Sequence, residues 1–252
     1  MEAEVGAIQA EPGRLAAYRD VCELPDDGLL PLTYPHILAS GVHMAMLLHR
    51  EFPVRMVGVV HLANDIELFV PLPADARLAL DCRVESGRSK PRGDEFRLVT
   101  EALWNDQLAW RETTSILAPS PRKALRMPAT APEYPPLLGE WAVPGDIGRR
   151  YARVSGDWNP IHLAGVLARP FGFPGAIAHG MWTVARCLSW LAKGSPGPGA
   201  RLSVRFLKPL LLPSHVGLHV GAPDESGEQE FWLVSADRAT PHLTGRWNPG
   251  QP

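Results

Sequence analysis

The sequence predicts an α+β protein built from two similar halves, each a long apolar helix followed by an antiparallel sheet. Three observations lead there. Two stretches in opposite halves of the chain have helical apolar spacing. Each is followed by segments in which apolar and polar residues alternate. A proline-rich run separates the two groups.

Taken in chain order, "TYPHILASGVHMAMLLHREF" (Thr33–Phe52) sets Ile37, Val42, Met44, Met46, Leu47 and Leu48 on one broad apolar side, as a core-facing helix does. Val59–Pro73, "ARLALDCRVES", "EFRLVTEALWN" and "QLAWRETTSIL" then alternate with the period of half-buried strands. The run from Pro119 to Trp141 is rich in proline and poor in periodic apolar residues, so an extended linker is expected over 119–140. That divides the chain into a first unit at 1–118 and a second at 141–252.

In the second unit, "HGMWTVARCLSWLAKG" (His179–Gly194) reads as helix, with Met181, Val184, Leu188 and Leu191 on one side and Gly194 as its stop. Ala200–Pro213, "HVGLHVGA", "EFWLVSADR" and "HLTGRWN" again read as strands. About four strands per half are expected. "IELFVPLP" and "VRFLKPLLLP" echo each other in order and character. A helix on one face of an antiparallel sheet, made twice, gives an α+β architecture. If the two sheets join at an edge, they form one long sheet and cover an exposed strand edge.

Composition narrows the functions. The net charge is -2, with 25 basic and 27 acidic side chains, so no basic field suits nucleic acid. The longest apolar runs, such as "PLLLP", fall far short of the roughly 20 residues that span a bilayer. No basic, apolar, small-residue leader opens the chain, and a cytoplasmic protein without membrane contact is expected. Cys22, Cys82 and Cys187 are odd in number and widely spaced, and read as buried reduced thiols.

One segment stands out for chemistry. "SGDWNPIH" (Ser155–His162) puts Asp157 and His162 five positions apart where regular helix is interrupted. Gly156 permits backbone angles that a side chain forbids, and Pro160 turns Asn159 away from the α region. Such a turn can aim a carboxylate and an imidazole at one small volume, a pairing suited to adding or removing water. The plainer alternative is a turn whose Asp and Asn bond nearby backbone, or a helix N-cap at Ser155, Asp157 or Asn159. Asp157 and His162 are too few for a zinc site, so no metal and no cofactor are expected.

"FGFPGAIAHGMW" (Phe171–Trp182) leads into the second helix. Gly180 at its start offers an amide at the positive helix end, an arrangement that polarises a carbonyl oxygen. Close helix packing explains the same glycine equally well. His179 reads as a helix-start or supporting histidine.

"YARVSGDWNPIHL" followed by "FGFPGAIAHGM" resembles the signature of the MaoC-like, (R)-specific enoyl-CoA hydratase (hydratase 2) family. The resemblance is tight over that stretch and loose over the rest of the C-terminal half. "LPLTYPHILASGVHMAMLL" and "GVVHLANDIEL" resemble the degenerate first half of its single-chain members. The family fold implied is the double hotdog, two long central helices each wrapped by an antiparallel sheet. The resemblance implies hydro-lyase activity on enoyl or 3-hydroxyacyl thioesters of CoA or acyl carrier protein. Asp157 and His162 then form the acid/base pair, and the Gly180 amide binds the thioester oxygen. Asn159 orients His162 or the water, Ser155 and Gly156 shape the turn, and His179 supports.

By the same resemblance the first half is non-catalytic and completes the acyl tunnel, in a monomer or a homodimer. Met44, Met46, Trp182 and Phe206 are candidate tunnel walls, though a plain core position is the more ordinary reading of each. Arg201, Arg205 and Lys208 are candidates for the CoA phosphates. A thioesterase of the same fold, or a non-catalytic thioester-binding subunit, is the alternative.

Overall fold

The computed structural model describes residues 1–54, 59–90, 93–119, 133–192 and 194–251. The first half contains strand β1 (Glu2–Gln9), helices α1 (Pro12–Cys22) and α2 (Tyr34–Leu48), and strands β2 (Val60–Leu68), β3 (Arg77–Lys90), β4 (Gly93–Trp104) and β5 (Gln107–Pro119). The second half repeats the order. It has β6 (Leu137–Val143), α3 (Ile147–Ser155), the short α4 (Gly165–Ala168), the long α5 (Gly180–Leu191), and β7 (Ala200–Phe206), β8 (Ser214–Val220), β9 (Gln229–Ser235) and β10 (Pro241–Asn248).

The ten strands make one sheet in the order β1-β3-β4-β5-β2-β7-β10-β9-β8-β6. Every neighbouring pair is antiparallel. The halves meet where β2 pairs with β7, with Asn64 opposite Val204 and Ile66 opposite Leu202. Reading outward from that join, the first half runs β2-β5-β4-β3-β1 and the second β7-β10-β9-β8-β6, the same order twice. This is the double hotdog, with α2 and α5 as its two long helices.

Among the described residues each half has five strands rather than four. The strands missed are the outermost pair, β1 and β6. "EAEVGAIQ" sits at an edge with polar residues on both faces, so it alternates weakly, and "LLGEWAV" lies inside the run read as linker. The expected linker over 119–140 is therefore too long at its C-terminal end, because Leu137–Val143 pairs with β8. Most of the rest of that linker lies outside the described residues.

Local chemistry sets the helix limits. α1 starts where the Glu11 carboxylate accepts the Gly13 and Arg14 amides at 2.8 and 2.6 Å and Pro12 fixes the first φ. α3 stops at Gly156, whose φ of +81° suits glycine. α5 ends at Ala192 in extended backbone, two residues before the glycine expected to stop it. α2 is shorter than expected, and its buried face is different. Ile37, Ala39, His43 and Met46 are buried, whereas Met44 and Leu48 are exposed by 42% and 66%. His43 displaces the expected apolar residues from the core because Thr100 takes its Nε2 at 2.6 Å, which removes the cost of burying a polar ring.

α1 and α3, neither expected from the sequence, bind the halves together. Arg14 Nε donates to the Val154 carbonyl at 2.6 Å, and the Tyr18 and Tyr151 rings lie 6.1 Å apart. Trp182 of α5 donates to the Val21 carbonyl at 3.0 Å. One apolar core runs through both halves, and the three cysteines lie in it as buried free thiols.

Candidate active site

The turn from Ser155 to His162 is built from side-chain-to-backbone bonds. Ser155 is buried at the end of α3, and its Oγ accepts the Asp157 amide at 3.1 Å. Gly156 reverses the chain, and Asp157 Oδ1 accepts the Asn159 amide at 3.0 Å. Asn159 Oδ1 accepts the Ile161 amide at 3.4 Å, and the Asn159 carbonyl accepts the His162 amide at 3.0 Å. A single 3-10 turn, Pro160–His162, follows. Asn159 thus reaches His162 through the backbone of this turn.

His162 is held at one ring nitrogen. Its Nδ1 lies 2.9 Å from the Ile177 carbonyl, which can only accept, so Nδ1 carries the proton. The Ile177 amide donates to the Ile161 carbonyl at 3.1 Å and locks the two segments. Nε2 is left as the free ring nitrogen, 4.0 Å from Asp157 Oδ2. His179, at the N-terminal cap of α5, stacks its ring on His162 with centroids 3.7 Å apart and planes 25° apart. Its Nε2 donates to the Asp157 carbonyl at 3.0 Å and stands 3.7 Å from Asp157 Oδ2. Tyr151 packs against the His179 ring at 4.9 Å.

Burial pushes the His162 imidazole below its ordinary range, against the opposing pull of the Asp157 charge and the Ile177 carbonyl. His179 is pushed down to about 3, first by burial and then by its His162 neighbour. Both rings are therefore neutral near pH 7. Asp157 Oδ2 and His162 Nε2 face each other as two acceptors. A separation of 4.0 Å lets one water donate a hydrogen to each.

Gly180 opens α5, so its amide has no acceptor inside the helix. A Cβ at this position would stand 2.9 Å from Cε1 and Cζ of Phe206. Close packing therefore accounts for the missing side chain, and the same packing leaves the amide at the positive end of α5.

The candidate wall residues separate. Met44 is exposed, Met46 is core, and Trp182 is core with its indole committed to Val21. Phe206 alone of the four touches the site, lying against Gly180 and 4.7 Å from the His61 ring. Arg201 is committed to Glu67 across the β2–β7 join at 2.8 Å, and Arg205 and Lys208 are exposed.

The sequence reading missed a buried polar cluster of the first half. Glu112 of β5 is wholly buried, with Oε1 and Oε2 each 2.9 Å from His36 Nδ1 and Oε1 2.7 Å from Asn64 Nδ2. A signal existed, since Glu112 shares its strand face with Trp110 and Thr114, all buried. Two trios, His36–His43–Glu112 and Asp157–His162–His179, each bring ligand-type atoms within 4.8 Å of one another. In each, ring nitrogens are already bonded to protein groups: His36 to Glu112, His43 to Thr100, His162 to Ile177 and His179 to Asp157.

A family model described as "MaoC like domain" matches residues 129–229. The chain is 34% identical over 251 residues to 3-hydroxyacyl-thioester dehydratase X of Mycobacterium tuberculosis, covering 95% of this chain and 86% of that protein. The crystal structure of HtdX from Mycobacterium tuberculosis superposes with a TM-score of 0.86 at 32% identity, covering 98% of this chain and 99% of that one. A MaoC-like dehydratase from Phytophthora capsici shares the fold, with a TM-score of 0.78 at 17% identity over 98% of this chain and 94% of that one. With that likeness running almost end to end, and with the Ser155–His162 turn inside the matched region, the chain belongs to the MaoC-like dehydratase family.

Proposed function

We propose that the protein is a hydro-lyase that reversibly hydrates a trans-2-enoyl thioester to an (R)-3-hydroxyacyl thioester, carried on CoA or acyl carrier protein. The observation that carries this reading is the facing pair, Asp157 Oδ2 and neutral His162 Nε2, 4.0 Å apart. In the hydration direction one water lies between them. The pair removes one proton from the water as its oxygen bonds to C3 of the enoyl group. The C2–C3 π electrons move toward the carbonyl, and the Gly180 amide donates to the oxygen as it gains enolate character. A proton returned to C2 completes the addition. Dehydration reverses each step.

In this reading Ser155, Gly156 and Asn159 shape the turn, and His179 holds Asp157 by its carbonyl. Residues 141–252 carry the dyad. The first half, 1–118, lacks a second Asn-Pro-x-His turn and completes the thioester site.

The test is hydration of crotonyl-CoA, followed as loss of absorbance at the enoyl-thioester band. Asp157→Asn and His162→Ala are each expected to lose roughly 10²- to 10⁴-fold in rate while remaining folded. Near wild-type turnover in either folded variant overturns the reading. So does release of free thiol in place of hydration, which is the outcome for a thioesterase.

A further inference from the structure

The turn that carries Asp157 and His162 hangs from the end of α3, and side chains of the first half hold that end. A helix leaves its last carbonyls without donors of its own. At the end of α3, Arg14 Nε of α1 donates to the Val154 carbonyl at 2.6 Å. The Ser40 hydroxyl of α2 is shared between the Ile37 carbonyl at 2.8 Å and the Ser155 carbonyl at 3.2 Å. Val154 and Ser155 stand three and two residues ahead of Asp157. The Arg14 guanidinium also lies along the start of the turn, since a Cβ built on Gly156 would stand 3.6 Å from its Nη2. A cation is favoured there, because the carbonyl end of a helix carries partial negative charge.

α1 is itself anchored at both ends. Glu11 caps its first turn through the Gly13 and Arg14 amides, so the backbone from which Arg14 reaches out is fixed. In its middle the Tyr18 ring packs against the rings of Tyr34 and Tyr151, and the Tyr18 hydroxyl pairs with Thr33 at 2.7 Å. Its far end reaches α5: the Val21 carbonyl accepts Trp182 Nε1 at 3.0 Å, and Glu23 at the C-terminal cap pairs with Arg186 at 2.9 Å. One helix of the first half therefore bonds both elements that build the site. These are α3, which ends in the dyad turn, and α5, which begins at Gly180 behind its cap His179. Where the two meet, His179 Nε2 donates to the Asp157 carbonyl at 3.0 Å. The turn is thus placed against the start of α5 from two sides, by that bond and by α1.

We propose that Arg14 is a positioning residue of the active site supplied by the first half: its Nε–H bond to the Val154 carbonyl fixes the end of α3, and with it the placing of Asp157 and His162 against the Gly180 amide. This role rests on Asp157 and His162 being the dyad. Arg14 acts through the turn and not on the thioester, so its loss disturbs the chemical step and spares substrate binding. The first half then contributes to the chemistry and is more than a wall for the acyl group.

Two substitutions separate the hydrogen bond from side-chain bulk. Arg14→Gln keeps an N–H donor the same number of bonds from the backbone as the arginine Nε, and Arg14→Met puts a methyl group there. Crotonyl-CoA hydration by the full chain is measured in both, with thermal melts to show that each is folded. Arg14→Met is expected to lose roughly tenfold or more in kcat with KM changed by less than about threefold, and Arg14→Gln to recover most of that loss. Wild-type kcat in folded Arg14→Met overturns the role of Arg14. So does an equal loss in the two variants, or a loss confined to KM. A second measurement needs only the wild-type fold: the Arg14 Nε–H resonance, assigned by its loss in Arg14→Lys, is expected to exchange with solvent at least roughly tenfold more slowly than that of free arginine. Exchange at the free-arginine rate overturns the role whether or not Arg14→Met folds. Full activity in Asp157→Asn refutes the proposed function itself. An inactive Asp157→Asn beside a fully active Arg14→Met refutes only the role of Arg14.

Discussion

Gly148 lies in the first turn of α3, ahead of the Ser155–His162 turn, and α3 rests on the backbone of His162. A Cβ built on Gly148 overlaps the His162 carbonyl oxygen and stands 2.9 Å from the carbonyl carbon. Ordinary carbon–carbon contact is about 3.5–4.0 Å, so the gap is short by about 0.6–1.1 Å, and the obstruction is main chain rather than a flexible side chain. In Gly148→Ala, either α3 or the 3-10 turn carrying His162 must retreat by that much. Helix propensity favours alanine by about 0.5–1 kcal/mol, and overpacking costs about 1–3 kcal/mol, so the net change is destabilising by up to about 2.5 kcal/mol. For a chain of this size each kcal/mol lowers Tm by roughly 2–4 °C. A shift of about 1 Å at a catalytic group costs on the order of 10²-fold in rate. Thermal melts beside crotonyl-CoA kinetics check both. A Gly148→Ala variant that melts at the wild-type temperature and turns over normally would refute the claim that α3 positions His162 by direct backbone contact.

Stability is expected to fall in acid. His43 and His61 are held near 4 and His179 near 3, and His162 is lowered as well, first by burial in every case. Unfolded, each titrates near 6.5, so below that pH the unfolded chain binds protons that the fold refuses. Their contribution is full above pH 6.5 and drains as pH drops toward about 4, by up to about 1.4 kcal/mol per pH unit for each ring. His36 has the opposite sign: raised in the fold, it contributes fully below pH 6.5 and loses that contribution as pH rises through its folded value. Denaturant melts at pH 7.5, 6 and 5 test this, and a flat profile contradicts it. In the proposed mechanism the pair works with a neutral His162, whose imidazole burial pushes down, so kcat/KM is expected to stay level from pH 7.5 to 6.5 and to decline only further into acid. Trp182→Phe removes the bond from α5 to the Val21 carbonyl and is expected to cost about 1 kcal/mol in stability with little effect on turnover, read by the same melts and assay.

Much of the fold was legible because periodicity survives in sequence. α2, α5 and eight strands alternate or repeat strongly enough to be found, and the order of elements gives the doubled architecture. β1 and β6 escaped because edge strands bury little on either face, so their alternation is faint. α1 and α3 escaped because they are short and are held by contacts with each other and with α5 that no local pattern announces. The turn from Ser155 to His162 was legible as a turn, since Gly156 and Pro160 restrict the backbone wherever the chain goes. The stacking of His179 on His162 and the pairing of His36 with Glu112 were not, because they join residues far apart in the chain.

By itself, the sequence determined the repeated helix-and-sheet plan and the presence of a carboxylate and an imidazole in one tight turn. Both follow from short-range rules: side-chain alternation, proline and glycine backbone limits, and apolar spacing. Tertiary structure alone decided that His162 keeps a free, neutral Nε2 aimed at Asp157. It also decided that Gly180 packs on Phe206, and that a buried Glu112 is paired with His36. Those outcomes depend on burial, which raises the cost of unpaired charge, and burial is a property of the folded surroundings that no single stretch of chain carries.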